Sequence, residues 1–248
     1  IGINTAIASP TGGSVGVGFA IPSNMARAAM QSLLKTGRVV RGFLGASTQD
    51  VTPLLSKVFR LPDVKGAIVT DVQLKGSAER AGLKRGDVVV RFDGRDVMDS
   101  GHLRNLVAAS TIGSKHRLDL MRDSKQYQAD LVVQEAPRER AKKSQSASAS
   151  AATAHPLTGV VFHDVTAPLA RQMDLAVTSG VVVTDIEEGS LAESSGLQPR
   201  DVVLVLNREP ILNFATFQRL ADPIKPSDLA LLLVNRQGNA LYIPIQNE

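Results

Sequence analysis

The stretch Gly66-Ala67-Ile68-Val69-Thr70-Asp71-Val72, followed by Ser77-Ala78-Glu79-Arg80-Ala81-Gly82-Leu83-Lys84-Arg85-Gly86-Asp87-Val88-Val89-Val90, decides the fold. The pattern returns in Gly180-Val181-Val182-Val183-Thr184-Asp185-Ile186 and in the residues from Ser190 to Val203. Matched residues lie 114 positions apart without a gap, as Gly66 and Gly180 do. This internal repetition predicts two copies of one module.

Length and composition set the limits of the fold. A chain of 248 residues can hold two domains of ordinary size. Its 43% hydrophobic and 21% charged residues are typical of globular proteins. The longest uninterrupted apolar run, Leu229 to Val234, has the length of a strand and falls far short of the roughly 20 residues of a membrane helix. We therefore expect no transmembrane segment.

The side-chain inventory excludes several kinds of site. There is no cysteine, so disulfides, thiolate metal sites and a cysteine nucleophile are excluded. The four histidines show no metal-ligand spacing, so neither a metal nor another cofactor is expected. The net charge is +4, but no basic stripe carries interleaved aromatic residues, and nucleic-acid binding is not expected.

The first 37 residues predict a hairpin and a helix. Strands are expected at residues 1–7 and 14–21, around a turn rich in Pro and Gly. A helix follows, with Ser23 as its N-cap and Gly37 as its end. Ser14 lies in a G-x-S-x-G pattern, which in a nucleophile elbow joins a strand to a helix. Strand-like residues follow Ser14 here, which favours a glycine-rich hairpin over an independent hydrolase.

Residues 38–134 form the first predicted module. Five or six strands and two helices are expected in fewer than about 100 residues, which describes a small β-barrel or sandwich capped by helices. Its opening loop, Gly42-Phe43-Leu44-Gly45-Ala46, has glycines that allow a tight turn. Successive N–H groups of such a loop can form a nest for an anion.

Residues 156–248 form the second predicted module, in which Leu157, Thr158, Gly159 and Val160 are equivalent to the opening loop. Pro156 replaces the first glycine of that loop and cannot donate a hydrogen bond, so packing or contact between modules is favoured over ligand capture. Between the modules, residues 135–155 are charged and rich in Ser and Ala, which predicts a mobile tether.

The loop Gly42–Ala46 and the pattern S-x-x-x-A-G-L-x-x-G-D-x-V at Ser77–Val89 resemble a bacterial PDZ domain. PDZ domains bind a peptide's terminal carboxylate through amides of this loop and add the peptide as a strand. The resemblance implies carboxylate-binding and groove residues in the first module: Arg41, Gly42, Phe43, Leu44, Gly45 and Ala46 at the carboxylate, and Ser47, Thr48, Leu103, Arg104 and Val107 along the groove. For Leu103 and Val107 a role in the core alone, and for Arg41 that of a solvated charge, remains open.

Ile1–Ile7 and Gly16–Asn24, followed by a helix and two PDZ-like modules, resemble the carboxyl-terminal part of a Do-like (HtrA/Deg) serine endoprotease. The resemblance implies that the first segment is left over from a chymotrypsin-like barrel, with Ile7 and Ala8 beside the specificity pocket. The family's catalytic motif is expected before Ile1 and no catalytic residue within the chain, so we expect the chain to be part of a longer protein. A periplasmic location and oligomers built from trimers are also implied.

Two hypotheses of function follow from these resemblances. In the first, the chain is the regulatory region of a protein-quality-control protease and captures unfolded proteins and hydrophobic C-termini for a protease domain. In the second, the modules assemble oligomers through contacts with one another and bind no free peptide. A screen of C-terminal peptides tests the first hypothesis, and sedimentation separates it from the second.

Overall fold

The computed structural model of the chain describes residues 2–7, 18–136, 157, 159–175, 177–224 and 228–246. Within these ranges the protein is mainly β, with short helices, which confirms the predicted fold class. None of the helices in the described ranges is long and apolar enough to cross a membrane. The predicted turn of the first hairpin, most of the tether, Ser14 and Thr158 lie outside the described residues.

The strands and helices follow the repeat seen in the sequence. The strands are β1 Gly2–Ile7, β2 Gly18–Pro22, β3 Gly42–Phe43, β4 Ala46–Asp50, β5 Ala67–Val72, β6 Val88–Phe92, β7 Arg95–Asp96, β8 Lys115–Arg122, β9 Lys125–Val132, β10 Gln134–Glu135, β11 Val160–Asp164, β12 Val181–Ile186, β13 Val202–Leu206, β14 Glu209–Pro210, β15 Ala230–Arg236 and β16 Asn239–Ile245. The helices are α1 Ser23–Thr36, α2 Pro53–Val58, α3 Ser77–Arg80, α4 Ser100–Ala109, α5 Ala167–Gln172, α6 Leu191–Ser194 and α7 Phe214–Ala221.

The amino-terminal hairpin and helix differ from the prediction in one detail. Strands β1 and β2 pair antiparallel, and α1 follows. Ser23 is not the N-cap that the sequence suggested, because Pro22 occupies that position and no side chain caps the helix. Gly37 ends the helix as predicted, with a φ of 70° and its N–H donated to the carbonyl of Leu33.

Each module is built on an antiparallel sheet with one edge strand beside its longest helix. The strand order is β4-β5-β6-β8-β9 in the first module and β11-β12-β13-β15-β16 in the second. A short sheet of β3 and β10 closes the first module, and it extends to Glu135, one residue past the predicted boundary. The core of each module lies between the sheet and its longest helix, α4 or α7.

A buried ion pair explains the Gly-Asp signature of both copies. Asp87 is fully buried, and its carboxylate accepts two hydrogen bonds from Arg122, at 2.6 and 2.7 Å. Asp201 and Arg236 repeat this fork at 2.7 and 2.6 Å. Each arginine also donates to the carbonyl of the glycine that closes the short helix before it, Gly82 in the first copy. The fork therefore fastens that turn to the last hairpin of the module.

The two modules pack against each other through an apolar cluster. Leu231, Leu233 and Tyr242, on the outer face of the second sheet, are at most 9% exposed. They lie in one cluster with Leu55, Ile68 and Val88 of the first module. The rings of Phe59 and Tyr242 meet edge to face, with centroids 5.4 Å apart.

The repeat shows that this contact is specific to the second sheet. Positions 114 residues before the three apolar side chains carry polar ones: Arg117 for Leu231, Asp119 for Leu233 and Gln128 for Tyr242. The pairing registers agree, since Leu233 opposes Tyr242 and Asp119 opposes Gln128. The outer face of the sheet is thus polar in the first module. In the second module it is apolar and packs on the first module.

Candidate peptide groove

Hydrogen bonds to the backbone carbonyl groups of the opening loop fix its position in the first module. The hydroxyl of Ser77 lies 2.7 Å from the carbonyl oxygen of Leu44 and 3.1 Å from that of Phe43. The N–H of Gln73 donates to the carbonyl of Gly45 at 2.9 Å. In a trans peptide plane the next N–H points away from the carbonyl. The N–H groups of Leu44, Gly45 and Ala46 therefore point away from Ser77 and Gln73.

Two glycines allow this loop to sit where it does. Gly45 has a φ of 77°, and a Cβ there would approach the backbone nitrogen of Ser77 to 2.8 Å. At Gly42 a Cβ would lie 2.1 Å from the carbonyl oxygen of Val107 on α4. Side chains at either position would displace the loop from the helix that it contacts.

The groove beside the loop has a strand on one side and a helix on the other. Strand β4 is an edge strand, paired on one side with β5. Helix α4 lies beside its other side, and a cavity opens between the two. The backbone of an edge strand is a template for a further strand.

One carboxylate ties the two walls of the groove together. Asp50, at the end of β4, accepts hydrogen bonds from the hydroxyl and the N–H of Ser100, at 2.5 and 2.8 Å. Ser100 is the first residue of α4. The side-chain hydrogen bond from Ser100, aided by the one from its N–H, holds the pKa of Asp50 below its usual range.

Most of the residues predicted from the sequence lie around this cavity. The predicted residues that line it are Gly42, Phe43, Leu44, Ala46, Ser47, Thr48, Leu103, Arg104 and Val107. Leu103 and Val107 line the cavity and also belong to the buried core, and their role in peptide binding stays a prediction. Gly45 is buried behind the loop against Ser77. Arg41 is exposed and is not among the lining residues.

Side chains fill the corresponding place in the second module. Phe162 stands where Thr48 stands in the first copy, and it is 7% exposed. Its ring packs against Phe217 of α7, with centroids 4.5 Å apart. Leu191 replaces the loop-holding Ser77. In the second module, the side chain of Phe162 therefore occupies the space that is an open cavity in the first module.

The second loop keeps one glycine of the pattern. Gly159 has a φ of 84°, and its carbonyl accepts a hydrogen bond from Glu187 at 2.6 Å. Leu157 is buried, and Val160 begins β11. At the other predicted site, Ile7 is the last residue of β1, while Ala8 lies outside the described residues.

Sequence reasoning missed the contribution of the second module to the groove. Asn239, Ala240 and Leu241, on β16, line the same cavity. The side-chain amide of Gln49 donates to the carbonyl of Tyr242 at 2.9 Å and accepts from its N–H at 2.8 Å. The polar-to-apolar change between the two copies was the signal that could have found this contact.

A Ser–His–Asp chain also occurs in the first module, away from the groove. His116 bonds Ser114 through Nε2 and Asp93 through Nδ1, both at 2.6 Å. The hydroxyl of Ser114 donates to the carbonyl of Thr111. Ser114 therefore links His116 to the backbone carbonyl of Thr111, in a contact that fastens the turn before β8.

Comparison with known proteins agrees with this geometry. The PDZ domain family matches residues 42–133. A probable periplasmic serine endoprotease, DegP-like, of Chlamydia trachomatis is 33% identical over all of this chain and 48% of its own length. The periplasmic serine endoprotease DegP of Escherichia coli K12 is 32% identical over 99% of this chain and 48% of its own. The chain spans about half the length of these relatives.

Among solved structures, the HtrA-type protease AlgW with a decapeptide is 37% identical, with a TM-score of 0.49 over 56% of this chain and 43% of that one. The two DegP-type relatives from Chlamydia trachomatis and Escherichia coli are named as periplasmic proteases, which confirms the location implied by the family resemblance. The chain is homologous along its whole length to the DegP/HtrA family of periplasmic serine endoproteases and carries a PDZ domain at residues 42–133.

Proposed function

We propose that the first module captures the carboxyl-terminal segment of an unfolded or hydrophobic polypeptide, for degradation by a periplasmic serine protease. The observation that carries the proposal is the edge strand β4, which begins at an amide-bearing loop and faces α4 across an open cavity. The terminal carboxylate would accept hydrogen bonds from the amides of Leu44, Gly45 and Ala46. The preceding residues would pair with β4 as an added strand.

The lining of the groove supports an apolar ligand. Leu103 and Val107 contribute an apolar wall from α4, and Leu44 lies in the loop below. Arg104 adds a positive charge on the helix side. The groove would therefore recognise the terminal carboxylate of the ligand together with an apolar last side chain. The backbone hydrogen bonds to β4 would form with any ligand sequence.

The wider context is also part of this proposal. The relatives are endoproteases about twice the length of this chain, so the chain would present captured segments to a protease domain. The apolar residues Met30, Leu33 and Leu34 on α1 are 49–79% exposed and would pack against that domain. In the parent protein the chain would form part of a homo-oligomer.

The experiment measures binding of a labelled peptide with an apolar carboxyl terminus by fluorescence anisotropy. The same peptide with an amidated terminus is the ligand control. We expect the amide to bind at least about tenfold more weakly, because it cannot place a charge in the loop. Gly45→Asp should abolish binding, since its side chain meets Ser77, whereas Gly159→Asp, its match in the second module, should leave binding unchanged. Equal binding of both peptides contradicts the proposal.

The assembly hypothesis retains support from the apolar contact between the modules. The same faces could pair between two chains instead of within one, as in domain swapping. Analytical ultracentrifugation over a wide concentration range tests this function. A strictly monomeric chain at high concentration counts against assembly through the modules.

A further inference from the structure

We infer that the second module supplies an upstream subsite of the peptide groove, so that one bound peptide contacts both modules. The inference rests on the proposed function of the first module and extends it. Asn239, Ala240 and Leu241 of β16 line the groove cavity together with β4 and α4. Strand β16 is, like β4, an edge strand of its sheet.

The backbone direction at this edge follows from the hairpin register. Arg236 opposes Asn239 around the turn, and Asn235 opposes Ala240. The turn residues Gln237 and Gly238 both have positive φ, as in a two-residue hairpin whose closing pair is hydrogen-bonded. Hydrogen-bonded and non-bonded pairs alternate along an antiparallel ladder. The N–H and C=O of Ala240 and Tyr242 therefore point away from β15, towards the free edge.

The contact of Gln49 shows which way that edge faces. Its side-chain amide bonds both the C=O and the N–H of Tyr242. The edge at Tyr242 thus faces the end of β4, and Ala240, two residues along, presents its N–H and C=O on the same side. A peptide strand leaving β4 at Gln49 would meet these groups next.

The length of the ligand decides whether it reaches this subsite. With the carboxylate in the loop, the peptide runs from the start of β4 towards its end. Ala46 and Gln49 are about 10 Å apart along an extended strand. The last three residues of a ligand therefore occupy the first module alone, and residues upstream of them reach β16. The subsite recognises extended backbone and adds affinity for long, unfolded carboxyl-terminal segments.

The test compares two peptides that share one apolar carboxyl terminus and are about three and about ten residues long. The variant Ala240→Pro removes the outward N–H without breaking the ladder to β15. Pro244 shows that β16 accepts proline on this edge, since it lies in the same alternation. The matched control is Gln126→Pro at the equivalent position of β9, which does not line the groove.

We expect Ala240→Pro to weaken binding of the long peptide about three- to tenfold and to leave the short peptide unchanged, with no effect of Gln126→Pro. Exchange of the Ala240 amide in the unaltered chain is an independent readout: the long peptide should slow it and the short one should not. Equal behaviour of the two peptides in both measurements overturns the subsite while leaving the groove intact. Failure of both peptides to bind overturns the proposed function together with the subsite.

Discussion

At the scale of single residues, the fork of Asp87 and Arg122 is a two-bond ion pair around a fully buried carboxylate. Asp87 accepts from Arg122 and also from the N–H of Lys84 at 2.7 Å. In Asp87→Asn an amide group would face these donors. We expect the free energy of unfolding to fall by about 3–5 kcal/mol, as when one partner of a buried ion pair is lost.

Denaturant unfolding measures this loss, with Asp96→Asn as the control. Asp96 pairs with Arg91, but both side chains are more than half exposed. Exposed pairs contribute about 0–1 kcal/mol, so the control should unfold almost like the unaltered protein. Equal losses in the two variants would show that the fork adds no special stability.

Asp50 gives the groove a dependence on pH. Its pKa is lowered in the fold by Ser100, so its stabilising effect is fully present above the ordinary aspartate value, about 3.9. That stabilisation is lost as the pH falls through the lowered folded pKa. When the free energy of unfolding is plotted from neutral to strongly acidic pH, it should therefore fall more steeply for the unaltered chain than for Asp50→Ala. Parallel curves for the two proteins would contradict this assignment.

At the scale of elements, one strand position separates an open cavity in the first module from a filled space in the second. Thr48 on β4 lines an open cavity, whereas Phe162 on β11 fills the matching space against Phe217. Thr48→Phe should therefore close the first groove and abolish peptide binding, with little change in the melting temperature. Anisotropy and thermal unfolding measure the two effects, and unchanged affinity would show that this position lies outside the ligand path.

Removing the ring of Phe162 tests how much it contributes to the core of the second module. Phe162→Ala removes a buried ring and should lower the stability of the second module by about 3–5 kcal/mol. Urea unfolding followed by amide signals of each module measures this, with the first module as the internal control. A loss below about 1 kcal/mol would show that the ring contributes little to packing.

The sequence predicted the elements better than their edges. Gly37 was placed correctly as the end of α1, because the positive φ at that position favours glycine. In the last hairpin of the first module, charged residues such as Lys115 and Lys125 extend the ladder at the surface beyond the apolar residues. Ser23 looked like a cap, but Pro22 already sets the extended φ and ψ that a cap needs.

The parts of the candidate site that are contiguous in sequence could be predicted. The parts formed by contacts between distant segments could not. The loop at Gly42–Ala46 is a contiguous motif, and the groove residues of α4 were implied by the resemblance to PDZ domains. Ser77 as the support of the loop, 34 and 33 residues from its partners, carries no local signal. The bond between Gln49 and Tyr242 spans 193 residues and depends on docking of the modules, which neither copy encodes alone.

At the scale of the whole molecule, docking depends on the apolar outer face of the second sheet. Leu233 is 1% exposed, and the equivalent position in the first module is Asp119. Leu233→Asp should separate the modules, since an unpaired carboxylate would be buried in the cluster around Ile68. Small-angle scattering should report a larger radius of gyration, with Asp119→Asn on the polar face of the first sheet as the control.

Tyr242 provides a spectroscopic report of the same docking. Burial raises its pKa, against the opposing effect of Arg85 and Arg208. The chain has two tyrosines, and Tyr127 is 42% exposed, so Tyr127→Phe leaves Tyr242 as the sole phenol. In that background the phenolate absorbance should appear above the ordinary tyrosine value of about 10. Adding Leu233→Asp should bring the pKa back towards that value.

The sign of this shift predicts how docking responds to base. A phenol whose pKa is raised by burial stabilises the docked arrangement fully below about pH 10, and this stabilisation is lost as the pH rises through the raised pKa. Scattering at increasing pH should therefore show separation of the modules in the single-tyrosine protein. Its Tyr242→Phe counterpart, which cannot ionise at this position, should stay docked over the same range. Identical pH profiles for the two proteins would mean that another group governs the interface.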